Sequence, residues 1–371
     1  MNQNSLISRY LSEHEDWRQH FDDLGIKYKF SPDNFVIFNY GIACDFANPL
    51  VQEARGIILN TSTLDVVCWP FRKFGNYTES YHDEIDWKTA RVQEKVDGSI
   101  VKLWYHSNRG WVWSTNGVIY AEDASIESLW SRNFLEVIQK ADNYRDIPFT
   151  DLDPTKTYMF ELVGPENRVV INYKVTHLYH IGTRSNITGQ EFNDDIGIEK
   201  PKEYAVNTFE DCLNAVEHLN TSEDGLVDHE GFVVVDGAWH RVKIKSSAYL
   251  FYHHYTNGVL FNKSKILQLL QSDDINIQSM IDQWPEYEEI FKFYQNEIRR
   301  VEDETQSVMD EMRSYYGQTD RKSVAMRYGK NRYASFGFRG LGNEKTAKEL
   351  LSECSRSTYE SLINDWKDES K

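Results

Sequence analysis

The chain has 371 residues, with 41 lysines and arginines against 58 aspartates and glutamates, a formal net charge of −17. That sign excludes a protein that coats nucleic acid through its overall field, so any nucleic-acid contact must be a local basic groove. No apolar run is long enough to cross a membrane and Met1-Asn2-Gln3-Asn4 begins no signal peptide, so a soluble, cytoplasmic protein with no membrane partner is expected. Cys44, Cys68, Cys212 and Cys354 are scattered without C-x-x-C spacing, which argues against a zinc site or a disulfide framework.

This length predicts two domains. Residues 1–23 are amphipathic and predict a helix packed on the domain that follows. From Phe35 to about Ser247 the chain reads as short β-rich runs between polar turns, among them Val36-Ile37-Phe38, Gly56-Ile57-Ile58-Leu59, Tyr158-Met159-Phe160-Glu161-Leu162-Val163 and His177-Leu178-Tyr179-His180-Ile181. Helices are predicted over residues 124–140 and 208–218. Asp97-Gly98, between two β-prone runs, predicts a hairpin in which Gly98 takes positive φ, and Asp236-Gly237 predicts another. On the last strand Lys243 and Lys245 share one face while Val242 and Ile244 share the other. Two lysines so placed repel unless an anion lies between them. After about Tyr249 the period becomes helical, most clearly over residues 285–316, with Gly317 able to end that helix. The fold class is therefore α+β with largely antiparallel sheets over residues 1–248, followed by an all-helical domain over 249–371.

The chemistry centres on Glu94-Lys95-Val96-Asp97-Gly98-Ser99, where a lysine precedes Asp-Gly. A lysine beside a turn is usually a solvated charge, and only an ordered set of motifs changes that reading. Downstream stand Phe160-Glu161-Leu162-Val163, Glu230-Gly231-Phe232-Val233-Val234-Val235 and Val242-Lys243-Ile244-Lys245-Ser246; upstream stand Ala54-Arg55-Gly56-Ile57-Ile58 and Arg72-Lys73-Phe74-Gly75-Asn76-Tyr77-Thr78-Glu79. Together they resemble the covalent nucleotidyltransferases and, more narrowly, the RNA ligase 1 family of T-even phages. The resemblance runs over about residues 35–250 and is longest at FELVGPENRVVINY, residues 160–173. Gly75 and Asn116 depart from the family pattern, standing where a phenylalanine and a lysine are usual.

The resemblance implies an ATP-dependent RNA ligase that joins 3′-hydroxyl and 5′-phosphate ends through lysyl-AMP and adenylylated RNA, in RNA or tRNA repair. Lys95 is then the nucleophile and Asp97 and Gly98 its motif turn. Lys243 and Lys245 contact the α-phosphate, Arg55 and Lys73 the departing β- and γ-phosphates, and Glu161 and Glu230 hold metal or ribose. ATP and Mg²⁺ or Mn²⁺ are the implied cofactors. An attacking lysine must be neutral, whereas its ordinary pKa is about 10.4, so neighbouring cations are expected to lower it.

Residues 321–339 concentrate six cations and four aromatics without an acid. Arg327, Arg332 and Arg339 are candidate RNA contacts there, with exposed rings stacking unpaired bases; the alternative is a buried aromatic turn with a basic rim. The implied partner is RNA, as nicked tRNA or single-stranded ends, in the host cytoplasm if the chain is phage-encoded, with no obligatory protein partner. A DNA ligase or capping enzyme continues into a β-rich OB domain where this chain turns helical. An inactive RNA-binding module is disfavoured by the presence of all three motif lysines.

Overall fold

The computed structural model describes residues 5–126, 132–218, 226–256, 262–271 and 277–367. It divides the chain into Met1–Leu260 and Phe261–Lys371. The division falls later than the boundary expected at 248, because helix Ser247–Thr256 belongs to the first unit. Tyr249 on that helix is buried, and its hydroxyl donates to Asp97 at 2.7 Å.

The N-terminal segment forms two short helices, Leu6–Glu13 and Trp17–Asp23, where one was expected. Ser5 caps the first by accepting from the Ser8 amide, and His14 leaves helical geometry at its end. Buried Glu53 fastens this start, its Oε2 accepting from Ser5 Oγ at 3.0 Å and from the Ile7 amide at 2.7 Å.

An antiparallel meander follows: Ile26–Phe30, Phe35–Tyr40, Arg55–Asn60 and Val66–Cys68. It is buried on both faces. Val36, Phe38, Ile57 and Leu59 pack with Ile7, Phe21 and Trp69, while Phe35, Ile37 and Ile58 pack with Trp104 and Val112.

Two further antiparallel sheets form the frame of the site. The five-stranded one runs Glu191–Phe192, His177–Ser185, Lys156–Val163, Ser99–His106, Gly110–Thr115. The four-stranded one runs Glu203–Tyr204, Arg91–Glu94, Gly231–Val235, Arg241–Lys245. Alternation gives each an outer apolar face. Val101, Leu103, Phe160 and Leu162 pack with Val137 and Ile138 of helix Phe134–Gln139. Val92, Phe232, Val234, Val242 and Ile244 pack with Cys212 and Val216 of helix Phe209–His218. The inner faces meet through Phe71, Phe74, Met159, Ile100, Ile181 and Val233, and this apolar floor lies beside the charged groups described below.

The hairpin expected at Asp97-Gly98 does not form. Arg91–Glu94 and Ser99–His106 belong to different sheets, and residues 95–98 carry the chain across from one to the other. Gly98 is not among the residues with positive φ. It is required instead by close approach, since a Cβ there would lie 2.2 Å from the Leu162 carbonyl oxygen. The second expected hairpin does form, with Val235 opposite Arg241. Its loop has Asp236 Oδ1 accepting from the Ala238 and His240 amides, both at 2.9 Å, and Trp239 takes the positive φ.

Residues 208–218 are helical nearly as expected, whereas 124–140 are not a single helix. Ser125–Ile126 pairs with Arg132–Asn133, and Asn133 then caps Phe134–Gln139; residues 127–131 lie outside the described residues. In the second unit every regular element among the described residues is helical. Its longest helix, Glu288–Tyr316, buries Phe291, Tyr294, Val301, Met309 and Met312, and Gly317 is its C-cap.

Gly98→Ala should cost about 1–3 kcal/mol, the usual range for forcing atoms into a packed region. Urea unfolding measures this; unchanged stability would mean that the crossing has slack.

Candidate active site

Lys95 follows strand Arg91–Glu94, and its amide donates to the Gly231 carbonyl at 2.8 Å, so its backbone is fixed before its side chain is considered. Its Nζ lies 2.6 Å from Glu230 Oε2, while Lys245 Nζ lies 2.8 Å from Glu230 Oε1. Glu230 is only 2% exposed, and Lys95 keeps 19% of its side-chain surface open. Burial alone would raise the Glu230 pKa, but the two ammoniums outweigh it and keep the carboxyl below its ordinary value. For Lys95 burial acts downward, yet Glu230, Glu161 and Asp97 outweigh it and raise the ammonium above the usual lysine range. This reverses the expectation that neighbouring cations lower Lys95. Its near neighbours are carboxylates.

The anion expected between the two strand lysines is thus Glu230, and it reaches only Lys245. Lys243, two residues away, has an ammonium 4.7 Å from the Phe74 ring centroid. Burial, then the charges of Lys95, Arg55, Lys73 and Lys245, press its pKa well below the ordinary value. The five predicted cations therefore lie within electrostatic reach of one point. Arg55 opens strand Arg55–Asn60, stacks on Phe71 at 4.7 Å, and has a buried Nη1 with no hydrogen-bond partner. Lys73 is surrounded by the rings of Tyr40, Phe46 and Tyr81.

Glu161 lies opposite Ile100 on strand Lys156–Val163. Among the described residues its carboxylate accepts no hydrogen bond, and burial together with the charge of Glu230 outweighs Lys95 and Arg55 to lift its pKa to about 7. No group of three or more His, Cys, Asp or Glu among the described residues is arranged to hold a metal. That is compatible with Mg²⁺, which keeps several waters and takes one or two carboxylates with substrate phosphates. Glu161 is a free donor for such an ion; Glu230 has both oxygens occupied by lysines.

Asp97 does more than shape a turn. Its Oδ2 accepts from the Val170 and Ile171 amides, both at 2.8 Å, and its Oδ1 from Tyr249 Oη at 2.7 Å. Burial, aided by the charge of Glu230, raises its pKa to about 6 against these donors. The Lys95 motif is thereby tied both to the 160–173 block and to helix Ser247–Thr256. Sequence reasoning missed Tyr249, whose ring also lies 5.0 Å from the Lys245 ammonium and whose hydroxyl also reaches Glu230. Its position four residues after Lys245 was the available signal.

Lys102 was missed too. It is fully buried and donates to the Gly56 carbonyl at 2.6 Å, with burial lowering its pKa to about 8. Gly56 has positive φ, and a Cβ there would lie 2.3 Å from Lys102 Nζ and 2.7 Å from Asn116 Cα. Asn116, the departure noted in the sequence, has its Oδ1 buried without a partner at this junction.

In the cluster of the second unit the alternative reading of the rings holds. Tyr328, Tyr333 and Phe336 are buried, so they present no exposed rings to bases. Arg332 donates to the Ser361 and Leu362 carbonyls at 3.1 and 2.9 Å, and Arg339 pairs with Glu353 at 3.0 Å. Arg327 is exposed and stacks on Tyr315 at 4.6 Å. The apolar periodicity of these short helices turned the rings inward.

Tyr249→Phe removes one donor from buried Asp97 without changing volume greatly. A loss of about 1–3 kcal/mol is expected, the cost of an unsatisfied buried polar group. Thermal unfolding checks this, and an unaltered midpoint would place the hydroxyl outside the anchoring network.

The profile of a family described as RNA ligase matches residues 53–254, a span that includes Arg55, Lys73, Lys95, Glu161, Glu230, Lys243 and Lys245. A protein of Autographa californica nuclear polyhedrosis virus, assigned as a bifunctional polynucleotide kinase/RNA ligase, is 30% identical over 67% of this chain and 38% of its own length. An RNA ligase of Rhodothermus phage RM378 is 26% identical over 59% of this chain and 64% of its own. The chain thus spans less than two thirds of either relative. Among solved structures, an archaeal ATP-dependent RNA ligase is similar at 15% identity and a TM-score of 0.46, covering 75% of this chain and 77% of that one. No helix among the described residues is long and apolar enough to cross a membrane. With residues 53–254 of 371 inside the family match, this chain belongs to the RNA ligase 1 family.

Proposed function

We propose that the chain is an ATP-dependent RNA ligase whose nucleophile is Lys95. The observation that carries this reading is the division of labour among the cations. Lys95 and Lys245 share Glu230, whereas Arg55, Lys73 and Lys243 have no carboxylate partner among the described residues. Uncompensated, partly buried cations are costly unless an anion is to be received, and a triphosphate is an anion of the required size and charge.

Lys95 must first surrender a proton to solvent. Its Nζ then forms a bond to the α-phosphorus of ATP while the bond to the β-phosphate oxygen breaks, and pyrophosphate leaves with that electron pair. Lys243 and Lys245 hold the α-phosphate, and Arg55 and Lys73 the two phosphates that depart. A divalent ion, held by Glu161 and substrate oxygens, would supply further neutralisation of phosphate charge. The lysine-bound AMP passes to an RNA 5′-phosphate, and an RNA 3′-hydroxyl displaces AMP to form the phosphodiester. Positioning and charge neutralisation supply most of the rate.

The substrate is proposed to be RNA with broken ends, such as nicked tRNA, acting in the cytoplasm, with the helical second unit contributing to its selection. Of the three exposed arginines first considered for that contact, Arg332 and Arg339 are engaged by carbonyls and by Glu353, whereas Arg327 packs on Tyr315.

The test separates the steps. With α-labelled ATP and Mg²⁺, the protein should acquire label that is chased by 5′-phosphorylated RNA and not by the matching DNA. Arg55→Ala and Lys73→Ala should slow the ATP step by about 10²–10³-fold, the loss typical of removing one preorganised charge contact. Sealing of pre-adenylylated RNA should suffer much less. Lys243→Ala and Lys245→Ala should damage both. A chase by DNA alone, or equal losses in both assays for Arg55 and Lys73, would overturn these assignments.

A further inference from the structure

Lys73 is held in an unusual way for a cation beside other cations. Its ammonium lies 4.2 Å from the ring centroid of Phe46, 5.2 Å from that of Tyr40 and 5.7 Å from that of Tyr81. The rings also pack on one another, Tyr40 edge-on to Phe46 at 5.2 Å and Phe46 tilted against Tyr81 at 5.7 Å. Three separate stretches supply them: the end of strand Phe35–Tyr40, the loop before helix Pro49–Glu53, and the loop after Asn76. The Lys73 amide donates to the Gln52 carbonyl at 2.8 Å, which fixes the base of the side chain. Gly75 admits Tyr81, because a Cβ at that position would lie 3.2 Å from Tyr81 Cε2 and 3.0 Å from His82 Cα.

No carboxylate among the described residues pairs with Lys73. Glu79 feels its charge, but Glu79 Oε2 is taken by the Asn76 amide at 2.5 Å and Asn76 Nδ2 at 2.9 Å. The choice of rings over an acid has a physical consequence. A carboxylate would orient the lysine and also cancel its charge, so an entering polyphosphate would have to displace it. Ring faces attract a cation through their quadrupole while carrying no net charge. They hold the ammonium in place with its full charge available. Arg55 on Phe71 and Lys243 on Phe74 follow the same pattern, at 4.7 Å each.

We propose that Tyr40, Phe46 and Tyr81 are positioning residues that keep Lys73 charged, unpaired and ordered for the departing phosphates of a nucleoside triphosphate. This rests on the reading of Lys73 as a contact to those phosphates. The experiment replaces Phe46 in the full chain by phenylalanines bearing one, three and five ring fluorines, which drain the ring face of negative potential with little change of shape. KM and kcat for ATP in Lys95 adenylylation are measured for each, in the Lys73 chain and in a Lys73→Ala background. KM should climb with fluorine count, reaching about ten-fold for the fully fluorinated ring, between the values of an exposed and a desolvated cation–π contact. The kcat should hold, and the series should be flat in the Lys73→Ala background. If Lys73→Ala raises KM but the fluorinated series does not, the box has no positioning role and the inference fails alone. If Lys73→Ala leaves the ATP step unchanged, the reading of Lys73 fails and takes the inference with it. A parallel rise in both backgrounds would mark Phe46 as packing only.

Discussion

The constraint on which the site depends is one buried carboxylate serving two lysines. Glu230 sits just before strand Gly231–Val235, so its backbone is placed by that strand's pairing with Arg91–Glu94 and Arg241–Lys245. The same pairing delivers Lys95 from one neighbour and Lys245 from the other, to 2.6 and 2.8 Å. A Cβ at Gly231 would lie 2.1 Å from the Ile244 carbonyl, so the glycine that follows the acid is what lets the strands close on it. Removing one member of a buried ion pair costs about 3–5 kcal/mol because the other is left uncompensated. The three strands, Lys95 and Lys245 therefore hold one another in register.

Around this shared carboxylate lie Arg55, Lys73 and Lys243, which have no carboxylate partner among the described residues and pack on Phe71, Phe74 and the rings about Lys73. The apolar floor that joins the two sheets is made partly of the same phenylalanines. Packing and electrostatics are thus one device here. The residues that close the cleft also hold its charges, and Asp97 fastens the Lys95 motif to the far side through Val170, Ile171 and Tyr249.

Much of this was legible in the chain. Period-two alternation at Val242-Lys243-Ile244-Lys245 correctly put the lysines on one face, and the order of short motifs pointed to the residues that the fold collects. What was not legible has physical causes. Asp97-Gly98 carries a strong local hairpin signal, but the glycine serves a contact with Leu162, more than sixty positions away, and no local pattern encodes that. The direction of the Lys95 shift depended on which charges came nearest. The counterion role of Glu230 and the clamp from Tyr249 both require tertiary pairing. For the basic run over residues 321–339 the sequence left exposed rings and a buried aromatic turn both open, and the choice is a matter of helix packing and not of composition: Tyr328, Tyr333 and Phe336 are buried.

The most direct measurement is the site of covalent AMP attachment. The protein is incubated with ATP and Mg²⁺, digested under alkaline conditions that preserve a phosphoramidate, and mapped by mass spectrometry. AMP should be found on the peptide bearing Lys95, on its side-chain nitrogen, and should be lost on mild acid treatment as a phosphorus–nitrogen bond requires. AMP carried by Lys243, Lys245 or any other residue, or no adduct from a folded protein given ATP and metal, would contradict the account.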